Sequence, residues 1–167
     1  MSETLGCLQR ESTRPRNAQG WAKLTLALLL TSVCVRCLAQ ASPTEFPVIP
    51  LSAGIQLIQA EVANTDSQRE QGLMFREKLG ANQGMIFVFD YLSRPCMWMK
   101  NTLLPLSVAF LDNTGTIINI EDMRAQTLDS HCAAGPARYA LEMNLGWFAK
   151  HGVVPGRKLG GLPSPPQ

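Results

Sequence analysis

Seven consecutive residues, Cys96, Met97, Trp98, Met99, Lys100, Asn101 and Thr102, hold the densest chemistry of the chain. A thiol and two thioethers stand beside an aromatic face, a cation, an amide and a hydroxyl. Soft sulfur donors suit a soft metal such as copper, with His131 as a further donor. Strand alternation, however, points Met97 and Met99 one way and Cys96 the other. No His pair stands at ligand spacing, and methionine more often fills a core. Neither a metal nor a cofactor is therefore expected. For acid–base work, Lys100, Glu142, Asp90 and Glu121 lie on or beside expected strands, and two carboxylates in one cleft would suit glycoside hydrolysis. The plain alternative is that Glu142 and Lys100 are half-buried and pair with Arg69, Arg76 or each other. His131 and His151 have no nucleophile motif beside them. For binding, Trp98, Lys100, Asn101 and Thr102 combine a stacking surface with orienting polar tips, which suits a small polar ligand or a carbohydrate. Against this, Trp98 could simply fill the core.

The elements that must position these residues are short. Apolar residues at Ile55, Leu57, Ile58, Ala60 and Val62 predict a first strand over residues 55–62. Thr65 and Gln68 have capping-box spacing, so a helix starts there and stops at Gly72, with Leu73, Met74 and Phe75 facing the core. Residues 84–91, "GMIFVFDY", read as a strand buried on both faces or one that alternates with its aromatics outward. Residues 97–100 read as a short strand. Residues 106–111 and 116–120 flank the turn Asp112-Asn113-Thr114-Gly115 as a hairpin. Residues 127–136 form a polar loop, 138–143 a strand, and 144–150 a helical turn closing at Gly152. Lys158 and Leu159 suggest a last strand. Many short strands with one or two short helices predict a mainly β fold, a compact barrel or jelly-roll-like sandwich.

The 167 residues divide unevenly. Arg10, Arg14, Arg16 and Lys23 precede an apolar run at residues 24–35, and Ala39-Gln40-Ala41 follows. This is the order of a secretory signal peptide, cleaved after Ala41, with retention as a membrane anchor the alternative. Residues 42–54, with three prolines, read as a linker, residues 55–160 as a single domain, and residues 161–167 as a disordered tail. The leader holds five of the 15 Lys+Arg and two of the 13 Asp+Glu, which leaves 10 basic and 11 acidic residues, a net charge of −1. Such a balance argues against nucleic acid or an anionic membrane as partner. Two cysteines remain, Cys96 and Cys132, and in an oxidising compartment one disulfide is expected.

The strings "REQGLMFR", "GMIFVFD", "MWMKNTLLPLSVAFLDNTGTIINI" and "YALEMNLGWF…GVVPG" closely resemble the bacterial and archaeal family known as domain of unknown function 192. The likeness spans residues 61–156, and the run W-M-K-N-T-x-x-P-L is highly specific. The resemblance implies a small β-rich, barrel- or jelly-roll-like domain, secreted or envelope-anchored, with no established activity. Two positions depart from the family pattern. The Asp after the Pro-Leu pair is Ser107 here, and the Asp after the late glycine is Arg157. Both lower the expectation of an enzyme.

The residues together predict an exported domain, periplasmic or secreted, that binds a small polar ligand or carbohydrate in a cleft around residues 98–102, with Arg69, Arg76 and Glu142 nearby. Two alternatives stay open. One is a hydrolase using Glu142 with Lys100 or Asp90. The other is an envelope accessory protein that holds a protein partner on an exposed aromatic edge. A lone buried ammonium is costly, so Lys100 is expected either to reach water or to pair with Glu142 at the mouth of the cleft.

Overall fold

The computed structural model describes residues 46–164. The signal peptide read over residues 1–41 lies outside the described residues, as do 42–45 of the linker and 165–167 of the tail. The described elements are β1 (Val48–Ala53), β2 (Gln56–Ala63), α1 (Asp66–Gln71), β3 (Gln83–Ser93), β4 (Cys96–Met97), β5 (Leu106–Leu111), β6 (Ile117–Met123), β7 (His131–Cys132), β8 (Ala137–Asn144) and α2 (Trp147–Lys150).

Six strands form one mixed sheet in the order β1-β2-β3-β8-β5-β6, and β4 and β7 form a separate two-stranded ribbon. The expected barrel is corrected: the sheet does not close. Its edges, β1 and β6, do not pair with each other. Instead Ser52 of β1 bridges Gly160, and Thr116, just before β6, bridges Lys158. β2 and β3 run parallel. A parallel pair needs a crossover connection, and residues 64–82 with α1 provide it.

The stretch read as a linker contains β1. Pro50 suggested a linker, but an edge strand tolerates a residue that cannot donate to the ladder, and Pro50 sits opposite Gln59 at that edge. At the other terminus, residues 161–164 are held rather than free. Leu162 packs on the core, and the Tyr139 hydroxyl donates to the Pro163 carbonyl at 3.1 Å.

The helix start is as the spacing predicts. The Thr65 hydroxyl accepts from the Gln68 N–H, and the Gln68 side chain accepts from the Thr65 N–H. Gly72 ends α1 at φ 47°, and a Cβ there would meet the Phe87 ring at 3.3 Å. Leu73 is buried, but Phe75 is not in the core: it is 68% exposed. Its φ of 62° turns the chain outward. The hairpin of β5 and β6 forms around the expected turn, where the Asp112 carboxylate accepts from the N–H groups of Thr114 and Thr116.

β3, β8 and β5 are apolar on both faces because both faces are covered. One face collects Leu51, Ile58, Ile86, Leu141, Trp147 and Phe148. The other collects Leu73, Met85, Phe87, Met99, Val108 and Phe110. Gly84 has no room for a Cβ, which would lie 2.4 Å from the Glu142 carbonyl oxygen. β3 and β8 thus come close just where the candidate site is built.

Candidate functional site

Glu142 lies near the middle of the sheet. β8 runs between β3 and β5, and Glu142 is opposite Met85 on one side and Val108 on the other. Alternation along β8 puts its side chain on the face of Ala140, the second core. The residue is only 4% exposed. No hydrogen bond or ion pair reaches its carboxyl from any described residue. Burial alone pushes its pKa from 4.5 up to about 8, because a carboxylate loses its hydration there and gains nothing in exchange. At neutral pH the group is mostly protonated.

Above Glu142 is a cavity of about 570 Å³, within the usual range for small-molecule sites. Phe87 and Phe89 of β3, Leu73 beyond α1, and Met97 and Trp98 line it with Glu142. Asp66, Arg69, Glu70, Lys100 and Asn101 add charge and polarity. Trp98 is 53% exposed at the rim.

The rim is built from turns. The Thr102 N–H donates to the Met99 carbonyl at 3.1 Å, closing a turn in which Asn101 takes φ 56°. Asn tolerates this left-handed position better than most residues. Phe75 and Gln126 also have positive φ, at 62° and 60°. These segments are stitched together: Phe75 N–H donates to Asn101 O at 2.9 Å, and Gln126 N–H to Thr102 O at 3.1 Å. The non-glycine left-handed residues of the described chain all sit in these three joined loops, and strain of this kind gathers at functional sites.

The Cys96–Cys132 disulfide forms as expected, with Cα atoms 4.0 Å apart. The two cysteines face each other across the β4–β7 ladder, and Cys96 borders the cavity. The bridge anchors the start of the wall that carries Trp98. Met99 is fully buried and Met97 packs on the same core. Both methionines therefore act as core.

Other residues singled out from the sequence are placed differently. The strand expected at residues 97–100 stops at Met97. Lys100 lies on the turn, exposed, with Nζ 5.5 Å from the Trp98 ring centroid. The expected Lys100–Glu142 pair does not form, because Lys100 is at the rim and Glu142 is inside the sheet. Arg69 borders the cavity but is already committed. It donates to the carbonyls of Asn64 and Val88, to Asp90 at 3.0 Å and to Asp66, which ties α1 to β3. Asp90 is thereby a structural partner. Arg76 does not reach the cavity. It makes a two-pronged bridge to Glu61 on β2 and lies over the Phe46 ring, because the turn at Phe75 directs the chain back toward β2. Thr102 is buried, and its hydroxyl donates to the Lys100 carbonyl at 3.3 Å. Asn101 stands exposed at the rim. Phe87, Phe89, Leu73, Asp66 and Glu70 were not anticipated. Phe87 and Phe89 share one strand face, but only the β3–β8 register shows that this face is Glu142's.

Ser107, the departure from the family pattern, is on the opposite face of the sheet. Its hydroxyl donates to Asp122 on the neighbouring strand and accepts from the Gly146 N–H at 2.8 Å. A carboxylate is thus still present beside this position, contributed by β6, and the change leaves the Glu142 cavity untouched.

Comparison with known proteins agrees with this fold. No curated protein matches the chain. A crystal structure from Sinorhizobium meliloti 1021, of a protein described provisionally as a transcription regulator, is 34% identical with a TM-score of 0.68, covering 71% of this chain and 97% of that one. A protein of unknown function from Novosphingobium aromaticivorans DSM 12444 is 30% identical with a TM-score of 0.66, covering 73% of this chain and 89% of that one. The model of the family described as "Uncharacterized ACR" matches residues 49–161. That span takes in all of the sheet but Val48, with the disulfide-anchored turn and the buried glutamate, and the chain belongs to this family, domain of unknown function 192.

Proposed function

We propose that this domain binds a small polar ligand of about sugar size in the cavity between α1, β3 and the 98–102 turn. The observation that carries this reading is Glu142, a carboxyl inside the sheet with no partner among the described residues, opening on a cavity of about 570 Å³. Glu142 lines the cavity, so a ligand that enters it can supply the carboxyl with the hydrogen-bond partner that the described residues do not provide. The exposed Trp98 face at the rim supports stacking of a ring. Binding is favoured over hydrolysis because Asp90 is held by Arg69 and Lys100 is held over Trp98, so neither partner of the hydrolase alternative is poised at Glu142. The disulfide supports placing the domain in an oxidising compartment.

A thermal-shift screen of the full-length protein against sugars, nucleotides and metal salts tests the reading. A ligand present at about 100 times its Kd adds roughly 2.7 kcal/mol of stability. Trp98→Ala is expected to remove that shift while leaving the unliganded melting temperature unchanged. A ligand that stabilises the wild type and Trp98→Ala equally would place binding elsewhere and refute this site.

A further inference from the structure

The lining of the cavity narrows the ligand class. We infer that the ligand carries a cationic nitrogen, an ammonium or guanidinium group that passes between Phe87, Phe89 and Trp98 and meets the carboxyl of Glu142. The inference rests on the binding reading above and adds the charge of the ligand to it.

Three observations carry it. Glu142 is 4% exposed and has no donor among the described residues. A cationic nitrogen supplies both the missing donors and the missing countercharge, whereas an anion supplies neither. Next, the route to Glu142 is aromatic: Phe87 and Phe89 line it and Trp98 stands at its rim. Aromatic faces attract cations, most strongly where water is excluded. Last, the surrounding charges favour a cation. From α1, Asp66, Arg69 and Glu70 border the cavity, and from the turn, Lys100. Asp90 of β3 and Asp66 both bind Arg69, so that guanidinium is neutralised. Lys100 then stands against Glu70, so even with Glu142 protonated two cations, Arg69 and Lys100, face three carboxylates, Asp66, Glu70 and Asp90. β5 presents the apolar Val108 opposite Glu142. The wall already accepts a cation on an aromatic ring, since Lys100 lies over Trp98.

Ligand binding should then be coupled to a proton. Without ligand the Glu142 carboxyl titrates near pH 8; a bound cation stabilises the carboxylate, so binding releases the proton at lower pH.

Three compounds of one shape and different charge test this: benzylammonium, benzyl alcohol and benzoate. Their affinities for the full-length protein are measured by Trp fluorescence and calorimetry from pH 6 to 8.5. Benzylammonium is expected to bind at least tenfold tighter than benzyl alcohol at pH 8, and benzoate weakest. Its affinity should rise about tenfold per pH unit between pH 6 and pH 7.5 and level off above pH 8, with about one proton released at pH 6.5. Glu142→Gln should abolish the slope and the preference for the cation. The wild-type pH profile decides the matter even where that variant does not fold. Equal binding of benzyl alcohol and benzylammonium, with flat profiles, overturns the cationic ligand and leaves the binding site standing. Failure of all three compounds while a ligand from the thermal-shift screen protects Trp98 also overturns it. Failure of every compound in both experiments overturns the binding reading too.

Discussion

Replacing Glu142 by Gln should make the protein more stable, and increasingly so as the pH rises. In the unfolded chain a glutamate titrates near its ordinary value of 4.5, whereas in the fold burial holds Glu142 at about 8. A raised carboxyl pKa means that the folded state binds the proton more tightly than the unfolded state. Its favourable contribution is complete below about pH 4.5, declines as the pH rises, and is lost above about pH 8. At 1.36 kcal/mol per pH unit, the gap between 4.5 and about 8 amounts to about 5 kcal/mol. Gln keeps nearly the same shape and does not titrate. The difference in stability between Glu142→Gln and wild type should therefore grow by about 5 kcal/mol between pH 4.5 and pH 8.5, on the order of 15 °C in Tm for a domain of this size. Other titrating groups are common to both proteins and cancel in the difference. Urea unfolding of the two proteins side by side across this range, with the disulfide intact, measures it. A difference that stays flat from pH 4.5 to 8.5 would show that the carboxyl ionises normally, and the argument from burial would be refuted.

The disulfide closes a loop with a sequence separation of 36, so the Cys96→Ser, Cys132→Ser double variant should lose roughly 3–4 kcal/mol by the loop-entropy model; urea unfolding gives the loss, and peptide mapping of the unreduced protein that finds Cys96 and Cys132 as free thiols would refute the bridge. Asn101 holds φ 56° at the rim turn, so Asn101→Ala should cost about 1 kcal/mol while Asn101→Gly costs less; equal melting curves for the two variants would show that the turn is not under this constraint.

The features legible in the sequence are those decided within a few residues. Thr65 and Gln68 cap α1 because the capping box needs only their spacing. The Asp112 turn sets the β5–β6 hairpin because its side chain reaches N–H groups two and four residues on. Cys96 and Cys132, the two cysteines after residue 41, form the expected bridge. Residues 138–143 read as a strand, and the structure forms it as β8 over Ala137–Asn144. Everything that makes Glu142 a candidate site depends instead on contacts remote in sequence. Alternation says that Glu142 shares a face with Ala140 but not what lies across from it. That is set by the registers of β3 and β5 against β8, which put Met85 and Val108 beside it. Lys100 belongs to the 98–102 run, and Arg76, in the string "REQGLMFR", offered a cation to pair with Glu142. The turn at Asn101 leaves Lys100 at the rim, and the turn at Phe75 sends Arg76 to Glu61. Pro50 suggested a linker because a proline cannot donate to a ladder, but only the strand order shows that β1 is an edge, where that donor is not needed. Local sequence thus determined the caps, the turns, the bridge and the faces of the strands. Which faces meet, and which buried carboxyl is left without a partner among the described residues, was decided by packing, because those energies come from residues that only the folded sheet brings together.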